Sequence, residues 1–82
     1  MDRIEFVALL AECATVTETY FKEMEKTSTM LVKCTWDPLT FDERFALLTQ
    51  EILERDAYLI YLESKRRLHK AALVGYAELS TN

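Results

Sequence analysis

The chain has 82 residues, half of them hydrophobic, which fits one small folded domain and excludes disorder by composition. One glycine and one proline are too few for the tight turns of a sheet protein, so the composition points to long helices with one connection. The net charge of −4 repels phosphate backbones and disfavours bulk nucleic-acid binding.

The first helix is expected over about 2–32. Asp2 is a good N-cap, and Glu5 three positions later completes a capping-box-like pair. Phe6, Leu10, Cys13, Thr17, Tyr20, Met24, Thr27, Leu31 and Cys34 then recur at alternating steps of four and three, none charged, and define the expected apolar seam. Thr27-Ser28-Thr29 weakens the helix near its end, because hydroxyl and β-branched residues are poorer helix formers. The stretch opening the chain, Met1 to Leu10, lacks the basic start and long apolar core of a secretory leader, and no run approaches the roughly 20 apolar residues of a membrane span. The expected setting is cytoplasmic and without a membrane.

The connection is expected over about 34–40. Pro38 biases Asp37 away from helical backbone, and Thr40 with Glu43 forms a second capping box. The second helix should run from Phe41 to about 77 with no breaker before Gly75. Its expected seam is Phe45, Leu48, Ile52, Arg55, Leu59, Leu62, Arg66, His69, Leu73 and Tyr76. A second stripe covers Leu53, Ala57, Ile60, Ser64, Leu68 and Ala71. The run Ala57 to Leu62 is apolar on every side, and one partner helix cannot cover such a girdle. A short connection makes the helices antiparallel neighbours. The expected fold is an all-α, antiparallel two-helix hairpin, completed as a four-helix bundle by homodimerisation.

Chemistry is sparse. Cys13 and Cys34 would lie about 30 Å apart on one helix, beyond disulfide reach, and read as buried free thiols. His69 is the sole histidine, so a zinc site of about four ligands has no candidate set. Every nucleophile–base triad would have to use His69, which lies about two turns from Cys13 on the hairpin. No glycine-rich loop exists to cradle phosphate. No catalytic, cofactor-binding or metal residues are therefore assigned.

The expected function is that of a small non-catalytic helical interaction module, adaptor, chaperone-like or regulatory, acting as an oligomer. Its expected partners are a second copy and a client or regulatory protein. Trp36, Tyr58, Ile60 and Tyr61 are the candidate partner contacts: aromatic residues are enriched in binding hot spots, and Ile60 lies on the same flank. Trp36 can alternatively cap the bundle end near Phe41. The rival reading is a regulator that binds a nucleotide, phosphate-bearing ligand or nucleic acid through Arg55, Lys65, Arg66, Arg67 and Lys70. Against it, the 65–70 block should lie opposite Asp2, Glu5 and Glu12, with Glu63 in reach of Arg67.

Overall fold

A computed structural model describes the backbone of residues 2–81 and the side chains of residues 2–75. Two helices, α1 (Arg3–Trp36) and α2 (Phe41–Thr81), pack against each other as a hairpin. The molecule measures 63 × 18 × 14 Å.

Local chemistry sets the helix ends. The Asp2 carboxylate accepts from the Glu5 amide at 2.8 Å, satisfying one free N–H of the first turn of α1. α1 passes through Thr27-Ser28-Thr29 and ends four residues beyond the expected Val32. Thr27 and Thr29 return their hydroxyls to the Glu23 and Glu25 carbonyls of the preceding turn, which accommodates them inside the helix. Asp37, ahead of Pro38, is extended at φ −135° and ψ 143°, as the proline ring requires. Thr40 and Glu43 then cap α2 reciprocally, each backbone amide donating to the other's side chain at 3.2 Å. α2 continues to Thr81. Tyr76, expected in the seam of α2, lies outside the residues whose side chains are described.

The seam between the helices differs from the expected one. On α1 it runs through Phe6, Leu9, Cys13, Val16, Tyr20, Glu23, Thr27, Met30 and Cys34, all buried or half-buried. Leu10 and Leu31 fall on an exposed flank instead. On α2 the seam is Glu43, Leu47, Gln50, Glu54, Ala57, Tyr61, Ser64, Leu68 and Ala71. Part of the second stripe thus faces α1, although Leu53 and Ile60 are exposed. The stripe expected as the main seam is turned away: Phe45 is 65% exposed, Leu59 54%, and Leu48, Ile52 and Leu73 are exposed as well. Both stripes share the 3.5-residue spacing, so periodicity alone cannot choose between them. The seam that closes carries small residues, Ala57, Ser64 and Ala71, which let two helices approach closely. Only Ala71 among the described hydrophobic residues is buried, at 7% exposure.

Candidate functional site

The largest chemical feature of the molecule is its exposed apolar surface. Residues on an α-helix advance by about 100° each, so the stripe Phe45, Ile52, Leu59 and Leu73 lies on the side of α2 opposite the Ala57–Ser64 seam. Leu48 and half-buried Leu62 flank it. α1 covers Ala57 and Tyr61 of the apolar girdle, leaving Leu59 and Ile60 to solvent.

The total solvent-accessible surface is 6627 Å². A compact monomer of this mass exposes about 5,100 Å² by the surface–mass scaling of folded proteins. The excess of about 1,500 Å² per chain is what each partner of a sizeable obligate interface buries.

The candidate partner contacts fall in three places. Trp36 ends α1 and is 80% exposed, with Phe41 at the start of α2 82% exposed, so the indole does not cap the bundle end. Ile60 is an open flank residue. Tyr58 and Tyr61 belong to an interhelix aromatic cluster. Tyr20 of α1 stacks on Tyr61 with centroids 5.4 Å apart, and meets Tyr58 at 5.3 Å in a tilted arrangement. Such contacts are each worth about 0.5–1.5 kcal/mol beyond area burial. Tyr61 therefore serves the hairpin, while Tyr58 keeps an exposed edge.

The basic residues do not converge on one site. Arg67 donates to Glu12 of α1 at 2.6 Å. Arg66, not Arg67, is the cation beside Glu63, at 3.7 Å. Arg55 reaches only its neighbour Asp56, at 3.9 Å, and is exposed rather than set in the seam. Lys65 lies over the Tyr61 ring at 5.8 Å from its centroid, a cation–π distance. Lys70 is exposed.

A polar node that the sequence did not signal sits inside the seam. Gln50 donates to both the backbone carbonyl and the carboxylate of Glu23, at 3.2 and 2.7 Å. Lys26 adds a 3.2 Å ion pair to the same carboxylate. The Gln50 hydrogen bond, followed by that of Lys26, holds the Glu23 pKa below its ordinary value. Gln50 falls outside the stripes expected on α2, and only the packed hairpin places it in the seam, where a buried amide sets register. Glu43 is held below its ordinary pKa too, first by the Thr40 amide and then by Lys33.

The cysteines are free and half-buried rather than fully buried. Among the described residues no group of three or more His, Cys, Asp or Glu side chains could hold a metal ion, and no helix is long and apolar enough to cross a membrane. No protein-family model matches the chain, and neither the curated proteins nor the solved structures provide a match.

Proposed function

We propose that the chain is a non-catalytic helical interaction module of the cytoplasm, of an adaptor, chaperone-like or regulatory kind, that works as a homodimer of four helices. The observation that carries this reading is the row of large apolar side chains along α2, from Phe45 to Leu73, on the side that α1 leaves open. A row of exposed large apolar side chains, here interrupted by Arg55, Arg66 and His69, is a common mark of a surface that meets a partner. The seam inside the hairpin mixes half-buried apolar residues with Glu23, Thr27, Gln50, Glu54 and Ser64 and fully encloses few side chains, so a second covering surface would add hydrophobic stabilisation. Self-pairing supplies that stabilisation, and the flanks left over, with Trp36, Tyr58 and Ile60, are the surface presented to a client or target helix.

The test is the solution mass by light scattering over a dilution series. A mass near twice 9.6 kDa supports the reading. A chain that remains a monomer at micromolar concentration and unfolds cooperatively overturns it.

A further inference from the structure

Resting on that reading, we infer that the second copy docks antiparallel on the outward stripe of α2, with the two-fold axis level with Ala57, so that α2 is central and α1 outermost in each half of the dimer.

Three observations lead there. The first is coverage. The girdle at 57–62 is apolar all round, and α1 occupies only the Ala57–Tyr61 side. A second helix on the opposite side covers Leu59, which is 54% exposed in the hairpin, and completes the burial of half-buried Leu62. The second is area. The surface excess of about 1,500 Å² per chain matches the 2,000–5,000 Å² total of obligate homodimers.

The third is charge. A parallel pairing on this stripe would set Arg55 and Arg66 each against its own copy, a like-charge contact in a drying interface. An antiparallel pairing about Ala57 removes the Arg66 contact by setting Arg66 level with Leu48 of the copy. It places Ile52 against Leu62 of the second copy and Phe41 against Leu73. It sets the edge residues Asp42 and Glu51 beside Lys70 and Lys65 of the second copy, opposite in sign in both cases and repeated by symmetry. Arg55 approaches its symmetry mate near the axis, where Asp56 of its own chain, 3.9 Å from the guanidinium, offsets the charge. Arg66 stays held by Glu63 of its own chain and lays its aliphatic stem along Leu48 of the copy.

The experiment is cysteine cross-linking in the full chain with Cys13 and Cys34 replaced by serine. An Ile52→Cys chain is mixed with a Leu62→Cys chain under mild oxidation, and helicity is followed by circular dichroism. The expected result is a covalent dimer in the mixture and none from either chain alone. Like positions are separated along the axis by about 15 Å in this register, beyond disulfide reach. Leu59→Glu should also convert the dimer to monomer with helicity kept, whereas Leu10→Glu on the flank of α1 should not. A dimer that cross-links through Ile52→Cys alone, or that Leu10→Glu rather than Leu59→Glu dissociates, overturns this docking and leaves the oligomeric reading standing. A monomeric parent chain overturns both.

Discussion

Gln50 of α2 hydrogen-bonds the carbonyl and the carboxylate of Glu23 on α1 with one side-chain nitrogen, and this is the only side-chain bridge from α2 to the backbone of α1 among the described residues. It pins the helices against sliding, because a shift of one turn would leave a buried amide without its acceptors. Replacing Gln50 by alanine should lower stability by about 1–2 kcal/mol, the range for losing hydrogen bonds of which one ends on a charged group. Urea unfolding at fixed protein concentration reads this, and an unchanged midpoint would show that the bridge does not hold the register.

Ser64 presents the opposite case. It is 1% exposed, and its hydroxyl has no hydrogen-bond partner. Ser64→Ala removes that unsatisfied group and favours the helix, so it should raise stability by about 0.5–1 kcal/mol. Ser64→Leu should lower it by about 1–3 kcal/mol, because the close approach of the helices has no room for the added volume. The two unfolding curves should fall on opposite sides of the parent.

Acid should weaken the hairpin. Glu23 and Glu43 have folded-state pKa values lowered from the ordinary glutamate value of 4.5 by the Gln50 side chain and the Thr40 amide respectively. A lowered folded pKa contributes stability that is complete above the unfolded value and is lost as pH falls through the folded one. The urea midpoint should therefore hold steady near neutrality and decline below the ordinary glutamate value. The doubly substituted Glu23→Gln, Glu43→Gln chain should start lower at neutral pH and decline less.

The Glu12–Arg67 contact, although only 2.6 Å long, joins two half-exposed side chains. Exposed pairs of this kind contribute about 0–1 kcal/mol. A double-mutant cycle with Glu12→Gln and Arg67→Gln should give a coupling within that range, shrinking with added salt. Its role is orientation: it holds the basic block of α2 against the start of α1.

Several features were legible in the residues alone. Scarcity of glycine and proline implied long helices. The Thr40–Glu43 pair and Pro38 marked the turn, since capping and proline geometry are local and need no knowledge of the rest of the chain. Side-chain size, however, does not identify the seam. Phe45, Leu48 and Leu59 are larger than Ala57, Ser64 and Ala71, and transfer energy favours burying the larger set first. Only the packed hairpin shows that Ala57, Ser64 and Ala71 face α1 while Phe45, Leu48 and Leu59 face outward. Two stripes of equal period on one helix are equivalent until a neighbouring helix occupies one of them, and that occupancy is a property of the tertiary structure. The same holds for Glu23 and Gln50: each reads as an ordinary polar residue in its own helix, and their partnership exists because the hairpin brings together positions 27 residues apart.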